Sequence, residues 1–224
     1  MAASRVLVIG AGGLGSPVAL FLGSAGVGHI TLADGDTVDL TNLQRQIAHD
    51  LARVGIAKAA SAKASIAAIN PHVVVEAIVE RVAGERLSAL VAAADVVVDC
   101  SDNFATRQAA NAACVAHRKP LVAGAAVGFD GQLSTYDARD PASPCYACAF
   151  PADAAFEDVA CSTMGVFAPL VGIIGSMQAA EAMKLLLGIG TSLVGRLQML
   201  DARRMEWTEI AVARNPRCAV CGQP

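Results

Sequence analysis

The feature that most constrains this chain is Gly10-Ala-Gly-Gly-Leu-Gly15, set between a short apolar run, Arg5–Ile9, and a helix-forming stretch over residues 14–24. A G-x-G-x-x-G turn that ends a buried strand and opens a helix fits a βαβ unit, because missing Cβ atoms let the backbone fold tightly and approach an anion. His29–Ala33 reads as the second strand of that unit, closed by Asp34. Alternation then continues, with helical spacing over 54–69, stopped before Pro71, whose ring disfavours helix at Asn70. A strand over 73–79, a helix over 85–93, an acid-bounded strand at 95–99, a helix over 103–117 and a strand at 121–123 follow.

After Gly124 the texture changes. Residues 132–137, 197–200 and 207–212 alternate as antiparallel strands with one wetter face do. Between them lie a loop rich in Pro, Asp and Cys over 140–164 and one long helix over about 166–187. The expected fold is α/β: a Rossmann-type parallel sheet extended by antiparallel strands into a mixed sheet with flanking helices. No repeat, low-complexity tract or linker interrupts it, so residues 1–224 read as a single domain. Trp207, on a late strand, is expected to serve packing.

Charge and cysteine content narrow the class of function. A formal net charge of −3 with no long Lys/Arg run gives no footprint for nucleic acid. The most apolar stretch, 164–180, is interrupted by Pro169, glycines and Gln178 before it meets Glu181 and Lys184, so it reads as a buried helix and not a membrane span. No signal peptide is read at the N-terminus, and the expected compartment is cytoplasmic. Of seven cysteines, four form two C-x-x-C pairs, Cys145/Cys148 and Cys218/Cys221, which in such a compartment suit metal better than disulfides. Two pairs supply four thiolates, so a single tetrahedral Zn²⁺ would be closed and structural, joining the C-terminal tail to the central loop. Cys100 and Cys114 read as small buried apolar residues, and His29, His49, His72 and His117 show no ligand spacing.

The glycine loop signals a nucleotide without specifying a reaction. Gly10, Gly12, Gly13 and Gly15 would bring backbone N–H groups and a helix start to a phosphate, and Asp34 lies where an acid accepts from ribose hydroxyls. Taken alone, these residues suit an NAD(P)-dependent oxidoreductase, or glycines that serve only close helix–strand packing. The following Thr41-Asn42-Leu43-Gln44-Arg45-Gln46 and Lys58 add two cations, which a triphosphate with a leaving pyrophosphate requires more than a dinucleotide does. Both cations can equally be solvated surface residues. Asp99-Cys-Ser-Asp102-Asn103 closes a buried strand, where Asp102 can hold Mg²⁺ with Asn103 beside it, or either residue can cap the next helix.

In order and spacing, these motifs resemble the MoeB/ThiF family of sulfur-carrier adenylyltransferases, relatives of the ubiquitin-activating enzymes. The resemblance runs from Arg5 to Gly222 and includes the stretches 168–179 and 214–222. It implies ATP-dependent adenylylation of the C-terminal Gly-Gly carboxylate of a ubiquitin-like sulfur-carrier protein, for thiamine or molybdopterin sulfur transfer, by a homodimer. It further implies that Gly13 lies against the nucleotide, Asp34 binds ribose, Asn42, Arg45 and Lys58 engage phosphates, and Asp102 is the Mg²⁺-linked acid. Cys161 matches a cysteine that forms a covalent link to the carrier in the ThiF branch and is not clearly required in MoeB-like members. Family members carry an N-terminal helical segment with an Arg-Tyr-x-Arg-Gln type motif, whose arginine reaches the neighbouring subunit's ATP site. Residues 1–4 are all that precede the first strand here, and that arginine has no counterpart among them. A shortened chain, a substitute cation and impaired catalysis, including a non-catalytic scaffold that holds a ubiquitin-like partner, stay open at this point.

Overall fold

The computed structural model describes residues 1–152 and 165–222. Cys161, a candidate catalytic residue, lies outside the described residues. Five strands alternate with helices: β1 (Arg5–Ile9), α1 (Gly15–Ser24), β2 (His29–Ala33), α2 (Lys58–Ile69), β3 (Val74–Ile78), α3 (Gly84–Ala93), β4 (Val96–Asp99), α4 (Phe104–Ala116) and β5 (Pro120–Val127). β6 (Asp130–Asp137), the short α5 (Tyr146–Ala149), α6 (Ala168–Leu187), β7 (Arg196–Asp201) and β8 (Glu206–Ala211) follow.

The strands form one eight-stranded sheet in the order β3-β2-β1-β4-β5-β6-β7-β8. β3 through β5 are parallel, and β5 through β8 pair antiparallel, so the expected mixed sheet is the one observed. Helices cover both faces of the parallel half, which explains why its central strands β1 and β4 are almost continuously apolar and buried. Val6 and Val8 of β1 point to the face covered by α1, α2 and α6, with Val18, Leu22, Ile66 and Ile174 in the same core. Leu7 and Ile9 point to the other face, with Leu87 and Val91 of α3 and Ala110 and Cys114 of α4. Cys100 and Cys114 are buried as expected.

Some boundaries move for physical reasons. The helix expected over 54–69 begins at Lys58, because Gly55 takes a left-handed φ of 86° and a 3-10 turn, Leu51–Arg53, comes before it. Within the 140–164 loop, residues 146–149 form a short helix. Trp207 is 42 % exposed on the outermost strand, whose residues are all exposed, so the packing role expected for it is corrected. The long helix α6 has the length and composition to cross a membrane. Here it packs on β4, β5, β6 and α1 and buries two polar side chains, Gln178 and Glu181.

Glu181 shows how that apolar helix is fixed in register. Its Oε2 accepts from Thr135 Oγ1 of β6 at 3.0 Å and from Leu193 N, ahead of β7, at 2.8 Å, while Oε1 pairs with Lys184. Glu181→Leu leaves two buried donors without an acceptor and is expected to lower the unfolding free energy by about 3 kcal/mol. Glu181→Gln, which keeps an acceptor, should cost less in urea denaturation. Equal losses in the two variants would mean that the charge matters and the acceptor does not.

Candidate functional site

The site is built at the carboxyl ends of the parallel strands. Register sets Ile9 beside Ala33 and Asp99, Ala33 beside Ile78, and Asp99 beside Ala123, so the segments that leave these strands emerge along one edge. Gly10 departs from β1 with a φ of 95°, and a Cβ there would stand 2.8 Å from the Cys100 carbonyl oxygen. Only glycine meets both conditions without strain. A Cβ on Gly15 would fall 1.9 Å from Gly10 O, so this glycine serves the close packing of α1 against the turn. Asp34 holds the loop from β2: its Oδ2 accepts from Ala11 N at 2.7 Å and its Oδ1 from Asp36 N at 2.8 Å. No side chain caps α1, whose start faces the same edge.

A cavity of about 420 Å³ opens above this edge. Gly10, Gly12 and Gly13 form its floor, and Arg45, Lys58, Arg81 and Arg107 bring cations to it. Asp34, Asp36, Glu80 and Asp102 line it as well. Lys58 is buried, with Nζ 3.3 Å from Asp36 Oδ2, and its backbone N–H donates to Asp36 O at 2.9 Å. Arg81 donates to the other Asp36 oxygen at 3.0 Å. The Arg81 guanidinium, against the opposing effect of burial and with help from Lys58, holds the Asp36 carboxyl below the usual carboxylate range.

The strand end at β4 is equally ordered. Asp99 is fully buried, its Oδ1 accepts from Ser101 N at 2.9 Å, and burial pushes its carboxyl up. Arg107 donates to Ser101 O at 2.9 Å, tying the first turn of α4 back to the loop. Asn103 is the helix cap, its Oδ1 accepting from Thr106 N at 2.8 Å. Of the two residues that sequence offered for capping, Asn103 therefore takes it, and Asp102 stays exposed at the mouth.

Gly10, Gly12, Gly13, Asp34, Arg45, Lys58, Asp102 and Asn103 thus line one cavity although they span 94 positions of sequence, from 10 to 103. Gly15, Thr41, Asn42, Leu43 and Gln44 are not among its lining residues. Asp39 caps a 3-10 turn, Leu40–Asn42, by accepting from Thr41 N and Oγ1 at 2.8 and 2.5 Å, and Arg45 donates back to Thr41 O at 3.4 Å. Residues 41–44 therefore form the turn that carries Arg45. Asp36, Glu80, Arg81 and Arg107 escaped sequence reasoning. Asp36 and Arg107 had a signal, lying two residues after Asp34 and one helical turn after Asn103; the approach of Arg81 comes only from the β2–β3 register.

The four paired cysteines meet behind α4. Their Sγ atoms lie within 4.8 Å of one another, with Cys145–Cys148 at 3.9 Å, Cys145–Cys218 at 3.7 Å and Cys148–Cys221 at 3.4 Å. These separations are far longer than a disulfide bond and close to the edge of about 3.8 Å of a sulfur tetrahedron around Zn²⁺. Asn111 Nδ2 points at Cys145 Sγ from 3.6 Å and the Asn215 N–H at Cys148 Sγ from 3.4 Å, which suits sulfurs that carry negative charge. Four soft donors at this spacing fit a closed zinc site.

Comparison with known proteins agrees with this layout. A family model described as the ThiF family matches residues 1–220. The chain is 45% identical over 223 residues to molybdopterin-synthase adenylyltransferase of Escherichia coli K12, covering 98% of this chain and 88% of that protein. It is 45% identical over 219 residues to the sulfur carrier protein ThiS adenylyltransferase of the same organism, covering 98% and 86%. Among solved structures, E. coli MccB with ATP superposes with a TM-score of 0.84 at 23% identity, covering 99% of this chain and 68% of that one, a likeness of fold.

The Asp36 ion pairs have a measurable consequence. A depressed folded-state pKa contributes stability that is present above the ordinary carboxylate range and is lost as pH falls through the folded value. The side chain is 47 % exposed, so solvent screening keeps that contribution small. In an NMR titration Asp36 should protonate below the ordinary value of 3.8, and Arg81→Ala should move its midpoint upward. A midpoint insensitive to that substitution would show that the pair does not form in solution.

Proposed function

The chain belongs to the ThiF family, and from that premise we propose that it transfers AMP from ATP to the C-terminal carboxylate of a ubiquitin-like sulfur-carrier protein ending in Gly-Gly, releasing pyrophosphate. The observation that carries the reading is the convergence of the glycine turn, Asp34, Arg45, Lys58 and Asp102 on one cavity at the carboxyl edge of the sheet. That edge is where open α/β sheets bind ligands. Arg45, Lys58, Arg81 and Arg107 share the lining with Asp34, Asp36, Glu80 and Asp102, and fixed cations of this kind suit a triphosphate with a departing pyrophosphate more than a dinucleotide.

In this reading the N–H groups of the glycine turn and the start of α1 hold phosphate oxygens. Asp34, whose two oxygens each accept one N–H, has lone pairs left for ribose hydroxyls. Arg45 and Lys58 neutralise the phosphates, and Asp102, outside the helix cap, would hold Mg²⁺. Bound Mg²⁺ would supply charge neutralisation at the phosphates. The carrier carboxylate attacks the α-phosphorus, a P–O bond forms to the acyl oxygen, and the bond to the bridging oxygen breaks as pyrophosphate leaves. No proton transfer is needed, so catalysis rests on alignment and charge.

We further propose that Cys145, Cys148, Cys218 and Cys221 hold one structural Zn²⁺. What supports it is the donor set: four sulfurs at tetrahedral spacing leave no open position for a reacting group. The ion would join the 145–148 segment to the C-terminal residues, which in the described chain meet chiefly through a small cluster with Val115 and Val220.

ATP–pyrophosphate exchange with Mg²⁺ and purified carriers ending in Gly-Gly tests the activity. Carrier-dependent exchange is expected, and Asp102→Ala should lose at least about a hundredfold while keeping its thermal unfolding profile. Full exchange in that variant would overturn the role given to Asp102, and tight NAD(P) binding with no exchange would overturn the activity. For the metal, elemental analysis should find one zinc per chain, and Cys218→Ala should lower zinc content and thermal stability together. A metal-free wild-type protein of equal stability would refute the site.

A further inference from the structure

The segment 46–53 sits between the two cations of the proposed phosphate site, with Arg45 just before it and Lys58 soon after. It is bolted to α2. Arg53 donates to Ser61 O at 2.6 Å and to Ser65 Oγ at 2.7 Å, and Ser65 Oγ in turn donates to Ala48 O at 2.6 Å. One buried side chain carries this anchored segment across to the glycine turn. His49, 7 % exposed, has Nε2 2.9 Å from Ala11 O and Nδ1 2.8 Å from Ser61 Oγ.

The partners determine which ring nitrogen bears hydrogen. A carbonyl oxygen only accepts, so Nε2 must donate to Ala11 O; a neutral ring then accepts the Ser61 hydroxyl at Nδ1. Burial, opposed by the Ala11 bond and assisted by Lys58 and Arg53, holds the imidazole below its ordinary pKa and keeps it neutral at pH 7. The geometry of the peptide supplies the next step. In a planar trans peptide the C=O and the following N–H point in opposite directions. No cis peptide occurs among the described residues, so turning Ala11 O down onto His49 turns the Gly12 N–H the other way. Gly12 lines the cavity, and the other flank of Ala11 is fixed by its N–H to Asp34 at 2.7 Å.

We infer that His49 is a positioning residue for the nucleotide: by holding the Ala11 carbonyl it aims the Gly12 N–H at the phosphates and locks the glycine turn to the segment that lies between Arg45 and Lys58. The inference rests on the nucleotide reading above. It involves no contact between His49 and substrate, and it assigns His49 the neutral tautomer with hydrogen on Nε2.

Two variants and one spectrum test it. His49→Phe keeps a ring of similar bulk and removes both hydrogen bonds, whereas His49→Gln keeps a side-chain N–H able to reach Ala11 O. His49→Phe is expected to raise the KM for ATP in the exchange assay, and the Kd for ATP by calorimetry, by about tenfold or more, the order of a lost buried hydrogen bond. kcat should change less, and His49→Gln should recover most of the affinity. A merely structural residue would instead lower Tm in both variants and lower kcat through the lost active fraction, with KM unchanged. Unchanged ATP affinity in folded His49→Phe, or equal loss in both variants, would overturn the inference. Should His49→Phe fail to fold, His49→Gln and ¹⁵N NMR of the ligand-free protein decide. The spectrum should show a neutral ring with hydrogen on Nε2 at pH 7, and a charged ring or the Nδ1–H tautomer would overturn the inference while leaving the nucleotide reading intact. Absence of ATP binding to the unsubstituted protein would overturn that reading, and the inference with it.

Discussion

The parallel register of β1 with β2 and β4 is the constraint on which the rest of this molecule depends. Because Ile9, Ala33 and Asp99 stand abreast, the glycine turn, the Asp34 loop and the Cys100–Asn103 loop leave the sheet at one height. A slip of one residue in either pairing would turn every side chain of a strand to the opposite face. It would also separate Asp34 Oδ2 from Ala11 N. The apolar faces on both sides make such a slip costly, since Val6 and Val8 belong to one core and Leu7 and Ile9 to another. Hydrophobic burial on two faces thereby fixes polar geometry at the edge.

The same coupling extends across the sheet through α6. Gln178 is fully buried on that helix, and its Nε2 donates to Asp99 O at 2.7 Å and to Val122 O at 3.5 Å. Gly124 leaves space for it, as a Cβ there would come within 2.4 Å of the Gln178 amide. A largely apolar helix therefore carries two buried polar groups, Gln178 toward the end of β4 and Glu181 toward β6 and β7. Buried polar groups of this kind cost stability unless satisfied, and when satisfied they restrict a helix to one position on a sheet. Packing alone would tolerate small shifts of α6; these bonds do not.

Much of the fold was legible because its periods are strong. Strand and helix alternation, the glycine turn and the two cysteine pairs are local patterns, and each reappears where its spacing put it. What was not legible depends on distance in sequence. Asp36, Lys58 and Arg81 meet only because β2 and β3 pair in register, and nothing in Glu80-Arg81 marks it as part of a site. His49 illustrates the same limit from the other side. Its spacing to the other histidines carries no signal, which is correct, because its partners are a serine hydroxyl and a backbone carbonyl 38 residues away. The early helix start failed for a different reason: Val54 and Ile56 fit a helical period, but the left-handed Gly55 between them ends a separate turn. Trp207 was misjudged because an aromatic residue on an edge strand has one face of sheet and no neighbour beyond it.

Charge balance in the cavity connects these details to the proposed chemistry. Arg45, Lys58, Arg81 and Arg107 face Asp34, Asp36, Glu80 and Asp102, so the lining is close to neutral before anything binds. ATP brings about four negative charges into a partly dry cleft, where uncompensated charge is expensive. Asp36 already engages Lys58 and Arg81, and this pairing keeps two cations in place at the cost of part of their field. Under the proposed reading, compensation must then come from three sources together: the N–H groups of the glycine turn, the cations Arg45 and Lys58, and a divalent ion at Asp102. The backbone donors are the least adjustable of the three, since they cannot swing to meet a ligand as a side chain can. Their direction has to be set before the nucleotide arrives, and the hydrogen bonds that set it are those from Ala11 to Asp34 and from His49 to Ala11.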